Sequence, residues 1–139
     1  MDGRTGRHPG LDRRELLVKG QKQLRRARRF TQTIKAIRAE LAQGPLLYRF
    51  SGAAEIEGAF LACSFWLVDA LVRNGQLPQA TKVWGGLTGY VSDLGLLAEE
   101  IDPATGAFLG NFPQGLSHLA LLNAAALLEG ARPDEKSRR

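Results

Sequence analysis

Hydrophobic residues recur along this chain at helical intervals, separated by short segments rich in glycine and proline. Between residues 11 and 42, apolar positions return every three or four residues, which predicts a helix that tolerates Gly20 and has room for a break near Phe30. The positions that define it are Leu16, Leu17, Leu24, Ala27, Ile34, Ile37 and Leu41. Gly44-Pro45 ends this region, and residues 46–50 favour a short extended segment.

Three further helices are predicted downstream. Residues 57–73 are apolar on nearly every side, the pattern of a helix buried on several faces, and Asn74-Gly75 ends it. Leu77-Pro78 opens a helix that runs to about residue 91 and is weakened by several glycines, each costing about 1 kcal/mol relative to alanine. The last predicted helix covers residues 116–129 and is rich in leucine.

A loop with two carboxylates precedes the last helix. Residues 102–106, Asp-Pro-Ala-Thr-Gly, predict a chain reversal between residues 97–101 and 107–112. Adjacent residues of an extended segment point to opposite sides, so only one of Glu99 and Glu100 is expected to face inward. A carboxylate beside apolar residues can be a useful base near neutral pH. Taken alone, however, two glutamates beside a turn are better explained as solvated surface residues.

Three motifs change this interpretation. They are residues 57–71 (EGAFLACSFWLVDAL), residues 96–106 (LLAEEIDPATG), and residues 110–114 (GNFPQ) with Ser117-His118. In this order and spacing they resemble the carboxy-terminal part of glycoside hydrolase family 15, which contains glucoamylases, glucodextranases and bacterial trehalases. The resemblance covers roughly residues 30–128. It implies an all-α fold, part of an (α/α)6 barrel with its last helical hairpins, and inverting cleavage of α-glucosidic bonds.

The resemblance also assigns one catalytic role. Aligning the family's base-carrying motif with residues 98–102 makes Glu99 the general base. The family's general acid lies in an upstream Trp-Glu loop that neither Trp66-Leu67 nor Trp84-Gly85 reproduces, so no glutamate here inherits that role. We therefore expect a partial hydrolase domain that retains the base loop and is inactive alone.

Candidate substrate-binding residues surround this proposed base. Asn111, Gln114 and His118 carry groups that bond sugar hydroxyls, although His118 is equally well explained as structural and Asn111 as a turn cap. The full set of predicted substrate-binding residues is Glu57, Trp66, Glu100, Asn111, Gln114 and His118. Trp66 and Phe60 are suitable for stacking against a sugar ring, but aromatic residues on so apolar a helix are more often part of the core.

Charge is divided unevenly along the chain. Residues 1–39 contain 12 Lys and Arg against 3 Asp and Glu, a net charge of +9, whereas residues 40–139 have 7 against 11, a net charge of −4. Arg25, Arg26, Arg28 and Arg29 favour an alternative function, a non-catalytic helical module that binds nucleic acid or an acidic partner. A solvated helix face explains the cluster better, and we expect nucleic acid not to be the partner.

The predicted organisation is a basic arm at residues 1–29, helical or disordered, a hydrolase-like domain at 30–130, and a disordered charged tail at 131–139. Cys63 is the single cysteine, so a reducing, cytoplasmic location is expected. The longest apolar stretch, residues 59–68, is too short to span a membrane, and no membrane partner is expected. No metal-ligand spacing or phosphate loop is present, and no cofactor is expected. The expected partners are an α-glucoside and either a complementary hydrolase fragment or a second copy of the chain.

Overall fold

The computed structural model describes residues 13–132, and this part of the chain is mostly helical, as the sequence predicts. Its α-helices are α1 (Arg13–Leu41), α2 (Leu61–Arg73), α3 (Leu77–Leu87) and α4 (Gly115–Ala131). A small antiparallel pair joins β1 (Ala42–Gln43) to β2 (Leu46–Leu47). A second antiparallel sheet has the order β3 (Ala59–Phe60), β4 (Glu100–Ile101) and β5 (Phe108–Leu109). The predicted start of the first helix at residue 11 and the tail from residue 133 lie outside the described residues.

The long helix α1 continues through residue 30 without the break for which the sequence left room. It also passes through the predicted boundary between residues 29 and 30. Only its second half approaches the rest of the described chain: Ile34 is buried, and the Thr31 hydroxyl lies 3.1 Å from the side-chain amide nitrogen of Asn74. Residues 21–30 are all exposed. The first half of α1 therefore extends away from the core.

Helix α2 is the centre of the core. It packs against both α3 and α4, and its fully buried side chains include Leu61, Phe65, Val68 and Leu71. The prediction of a helix buried on several sides is confirmed. One polar residue, Ser64, is also fully buried, and its hydroxyl accepts a hydrogen bond from the Leu47 N–H at 2.8 Å while donating to the Phe60 carbonyl at 3.0 Å. This side chain joins β2, β3 and α2.

Two predicted helix limits are wrong. Helix α2 begins at Leu61 rather than Glu57, because residues 59–60 pair with β4 as a strand. Gly58 makes this pairing possible, since a Cβ atom there would lie 2.8 Å from the Ile101 carbonyl oxygen. Helix α3 ends at Leu87 rather than near residue 91, and residues 88–90 form a 3-10 turn.

Helix α4 buries its small residues and exposes leucines. Its buried side chains are Ser117, Ala120, Ala124 and Leu128, spaced along one stripe. Leu119 and Leu122 lie outside that stripe and are 62% and 61% exposed. Because small side chains let two helix backbones approach closely, this stripe suits the contact with α2. Among residues 13–132, no helix is both long enough and apolar enough to cross a bilayer.

Candidate active site

Glu99 lies immediately before β4, at the base of the loop between α3 and α4. It is half-buried, and its carboxylate Oε2 accepts a hydrogen bond of 2.9 Å from the Asn111 N–H. Its main chain is held as well: the Glu99 N–H donates to the Asn111 carbonyl at 2.9 Å, and the Glu99 carbonyl accepts from the N–H of Leu61 at 3.0 Å. The proposed base is therefore fixed between the start of α2 and the strand end after β5.

Gly110 lets the chain pass close to this carboxylate. Its φ is +70°, in the left-handed region that favours glycine, and a Cβ atom there would lie 2.7 Å from Glu99 Oε2 and 2.9 Å from Glu99 Cβ. No other residue type fits without displacing the Glu99 side chain. The conformation of Gly110 thus brings the Asn111 N–H to the carboxylate.

The start of α4 holds the segment just before Glu99. His118 Nε2 accepts from the Leu97 N–H at 3.3 Å, and His118 Nδ1 donates to the Gln114 carbonyl at 2.7 Å. These two bonds together require a proton on Nδ1 and a free lone pair on Nε2. The buried Ser117 hydroxyl donates to the Ala98 carbonyl at 2.8 Å, and the Gln114 N–H donates to the Leu97 carbonyl at 2.9 Å. Residues 97 and 98, just before the proposed base, are therefore held by side chains and backbone of the α4 start.

Glu100 points elsewhere. Its Oε2 accepts a hydrogen bond of 3.1 Å from the Gly58 N–H, whereas the neighbouring Glu99 reaches Asn111. Glu100 lines an open cavity of about 500 Å³ together with Tyr48, Glu55 and Glu57. The two adjacent glutamates thus bond to different segments, Glu99 to the residue after Gly110 and Glu100 to the residue before β3.

Arg49 pairs with Glu57, one of the residues that line this cavity. Its guanidinium makes two hydrogen bonds to the Glu57 carboxylate, one of them 2.8 Å long from Nε, and lies 5.1 Å from the centre of the Phe60 ring. The hydrogen bond from Arg49 lowers the pKa of Glu57 below its ordinary value, against a smaller effect of burial. The same bond, with the charges of Glu57, Glu100 and Glu99, raises the pKa of Arg49 further above neutrality. This pair is therefore ionised throughout the physiological pH range.

Trp66 lies apart from both glutamates. It is 47% exposed on α2 and lines an apolar groove of about 250 Å³ against α1, together with Ile34, Ile37 and Cys63. Burial raises the pKa of the Cys63 thiol. Within residues 13–132, no group of three or more His, Cys, Asp and Glu side chains is placed to hold a metal ion.

The structure therefore divides the predicted site residues into three places. Glu99, Asn111, Gln114 and His118 meet at the base of one loop, Glu57 and Glu100 line the cavity, and Trp66 faces the groove. For Asn111 the contact to Glu99 is made by the backbone, and the Gln114 Oε1 caps α4 by accepting from the Leu116 N–H at 3.4 Å. No role for Ser117, Arg49 or Gly110 is predicted from the sequence. A serine on an otherwise apolar helix face and a lone arginine in an acidic region are the signals that could have identified the first two.

Comparison with known proteins supports the hydrolase class that the sequence motifs around Glu99 indicate. Residues 80–126, which include Glu99 and the start of α4, match the family model for glycosyl hydrolases family 15. The resemblance predicted from the motifs is confirmed, and this part of the chain is similar to glycosidase-type hydrolases.

The similar curated proteins are trehalases. The chain is 46% identical to the trehalase of Mycolicibacterium smegmatis and 44% identical to that of Mycobacterium tuberculosis, in each case over 102 residues, 69% of this chain and 15% of the relative. It is 41% identical to the trehalase of Thermoplasma acidophilum over 107 residues, 74% of this chain and 18% of the relative. The matches thus span less than a fifth of the length of these relatives. No solved structure gives a significant match.

Proposed function

We propose that this chain supplies the general base of an inverting α-glucosidic-bond hydrolase of the trehalase type, and that Glu99 is that base. The observation that carries the proposal is the position of the Glu99 carboxylate, half-buried and bonded to the Asn111 N–H at 2.9 Å. A solvated turn residue needs no such support. The residues around it, 97 and 98, are anchored to the start of α4.

In the proposed reaction, the Glu99 carboxylate accepts a proton from a water molecule as the water oxygen attacks the anomeric carbon. The bond from that carbon to the glycosidic oxygen breaks, and the leaving oxygen takes a proton from a separate general acid. Inverting enzymes separate the two carboxyl groups by about 6.5–9.5 Å to leave room for the water. Attack from the opposite face inverts the configuration of the reacting carbon.

Glu57 is poorly suited to be that acid. A general acid must carry a proton near neutral pH, and the hydrogen bond from Arg49 lowers the pKa of Glu57. Glu55 lines the cavity beside Glu57 and Glu100, but the Trp-Glu motif of the family's acid loop does not occur there. We therefore expect the acid to come from outside residues 13–132 and the isolated chain not to hydrolyse α-glucosides.

We further propose that α2, α3 and α4 form helical hairpins of an (α/α)6 barrel that is completed by a second polypeptide segment. The exposed leucines of α4 and the groove beside Trp66 are apolar surfaces that such a segment would cover. A complementary hydrolase fragment fits this need, and self-association of the chain is the second candidate. The substrate would be an α-glucoside, with Glu57, Glu100 and Trp66 as candidate sugar contacts at the cavity and groove.

A chimera tests the role of Glu99. The segment of the Mycolicibacterium smegmatis trehalase that matches this chain is replaced by the corresponding residues of this chain, and glucose release from trehalose is measured. We expect the chimera to be active and Glu99→Gln to reduce kcat by about 100- to 10,000-fold. Glu100→Gln is the comparison variant, because it removes the same charge from the adjacent position; as a candidate sugar contact, Glu100 should affect KM more than kcat.

Two results would overturn the proposal. One is an active chimera in which Glu99→Gln retains full activity. The other is glucose release by the purified chain alone that survives Glu99→Gln. Proton NMR of the fresh products adds a stereochemical test, since inversion of an α,α-linked disaccharide yields one β-glucose and one α-glucose.

A further inference from the structure

The first half of α1 is a feature that the proposed hydrolase function does not use. Residues 13–29 belong to a regular helix, and every residue in this range except Gly20 is exposed. At 1.5 Å per residue, this half is about 25 Å long. Contacts between α1 and the rest of the described chain begin near Thr31. The first half is therefore a projecting helix that needs another explanation.

This helix is strongly basic. Residues 13–29 contain eight Lys and Arg and one acidic residue, Glu15, a net charge of +7. With 100° of rotation per residue, the basic side chains from Lys19 to Arg29 occupy one arc of about 180°. Those side chains are Lys19, Lys22, Arg25, Arg26, Arg28 and Arg29.

From Leu16 to Ala27, the opposite arc is apolar. Leu16, Leu17, Gly20, Leu24 and Ala27 fall within about 100° of one another around the helix axis. Leu16, Leu17 and Leu24 are 53%, 66% and 64% exposed, and no residue between 13 and 132 packs over them. The same arc continues to Ile34, which is buried against the core. The apolar face thus begins in the core and continues onto the projecting half without a covering element among the described residues.

The charge of the helix decides between possible occupants of this face. A second copy of α1 would place +7 against +7, which opposes pairing of two such helices. A nucleic acid would satisfy the arginines but would leave the three leucines without an apolar contact. An anionic bilayer surface satisfies both arcs at once, because headgroups pair with the basic side chains while leucines enter the acyl boundary.

We propose that the projecting half of α1, residues 13–29, is an interfacial helix that binds membrane surfaces rich in anionic lipid. This proposal departs from the expectation of no membrane partner. That expectation came from the short apolar stretch at residues 59–68, and an interfacial helix requires no membrane-spanning segment. It is independent of Glu99 and of the hydrolase role. It would place the hydrolase-like part of the chain at a lipid surface.

Co-sedimentation of the full chain with vesicles tests the proposal. The vesicles are phosphatidylcholine alone, or phosphatidylcholine with about 30% phosphatidylserine, compared at low and physiological salt. We expect binding to the anionic vesicles at least about 100-fold tighter than to the neutral ones. Replacing Arg25, Arg26, Arg28 and Arg29 by glutamine should abolish this preference.

A second variant separates lipid insertion from simple charge attraction. The substitutions Leu16→Ser, Leu17→Ser and Leu24→Ser keep every charge, and we expect them to weaken binding to the anionic vesicles at least about 10-fold. Leu119→Ser with Leu122→Ser is the matched control, because those leucines are equally exposed but lie on α4, away from the basic arc. The control should bind as the unmodified chain does. Circular dichroism of each variant verifies that the helices are retained.

Three outcomes would overturn the proposal. The first is equal binding to neutral and anionic vesicles. The second is unchanged vesicle binding by the triple leucine variant, which would show that the apolar face is not used. The third is tighter binding to a DNA duplex than to anionic vesicles, together with a DNA affinity that the leucine substitutions do not change. That result would show that α1 binds nucleic acid. A leucine variant that loses vesicle binding but keeps its helical spectrum supports the proposal.

Discussion

Gly110 offers the most direct test of how the proposed base is held. We predict that Gly110→Ala destabilises the chain by about 2–4 kcal/mol, the sum of two effects. The first is the left-handed φ of +70°, which costs an alanine about 1 kcal/mol or somewhat more. The second is steric, because the new methyl group would lie 2.9 Å from Glu99 Cβ and 2.7 Å from Glu99 Oε2. Overpacking of this kind costs about 1–3 kcal/mol.

The steric effect cannot be relieved by rotation of the carboxylate alone. Oε2 is at the end of a flexible side chain and can swing away, but Glu99 Cβ is attached to a backbone held by hydrogen bonds to Leu61 and Asn111. Relief of that contact therefore requires movement of the main chain. We expect the Asn111 amide signal to shift in NMR spectra as its bond to Oε2 is lost.

Gly106→Ala is the matched control for this experiment. Gly106 belongs to the same loop and has a φ of +76°, but a Cβ atom at this position would meet no atom of a non-adjacent residue within 4 Å. It should show the conformational cost alone, about 1 kcal/mol. Urea unfolding followed by circular dichroism gives both values from the shift in midpoint. If the two variants differ by less than about 0.5 kcal/mol, the close contact between Gly110 and Glu99 is absent and the reasoning is refuted.

Three further predictions concern the core and the cavity. Ser64→Ala removes the partner of two buried backbone groups and should cost about 1–3 kcal/mol. Ser51→Ala, at an exposed position, should stay within about 0.5 kcal/mol of the unmodified chain. Equal urea midpoints for the two variants would contradict the buried hydrogen bonds of Ser64. Phe65→Ala should cost about 3–5 kcal/mol because Phe65 is fully buried. Trp66→Ala should cost clearly less because Trp66 is half-exposed. The reverse order in the same assay would show that α2 turns the Trp66 face, and not the Phe65 face, toward the core. The pKa of Glu57 is lower in the folded state than in the unfolded chain. Its pairing with Arg49 therefore stabilises the fold fully at a pH above the ordinary glutamate pKa of about 4.3. This stability is lost as the pH falls through the lower pKa of the folded state. Glu57→Gln should therefore be less stable than the unmodified chain at pH 7, and the difference should shrink in acid; a difference that does not change with pH would refute this.

Much of the helical framework follows from the sequence. The positions of α1, α2 and α4 follow from apolar periodicity, and Asn74-Gly75 ends α2 as predicted. The errors occur where a distant segment competes with the local helical preference. The residues that follow Phe60 form helix α2, and the same apolar pattern includes residues 57–60. Ala59 and Phe60 nevertheless pair with β4, about 40 residues away. Local periodicity contains no information about such a partner.

The candidate site divides in the same way. Motif spacing indicated Glu99, and the extended backbone predicted that only one of Glu99 and Glu100 would face inward. The two carboxylates bond to different groups, the N–H of Asn111 and the N–H of Gly58, but both residues are half-buried. The supports of Glu99 were not predictable, because the contributions of Asn111 and Gly110 are a backbone N–H and a missing side chain. His118 was predicted to bind substrate or to be structural, and both of its ring nitrogens are bonded to the backbone. These features depend on where the loop closes.

The sequence by itself determined the helical class and the placement of a carboxylate in a turn beside apolar residues, because backbone preference and amphipathic period act over a few neighbouring residues. Only the tertiary structure decided which face of α4 is buried. A helix that is apolar all round does not specify this from its own composition, and the contact with α2 selects the serine and alanine stripe. The tertiary structure likewise decided that the Glu99 carboxylate meets the Asn111 N–H, because chain reversal brings together groups 12 residues apart.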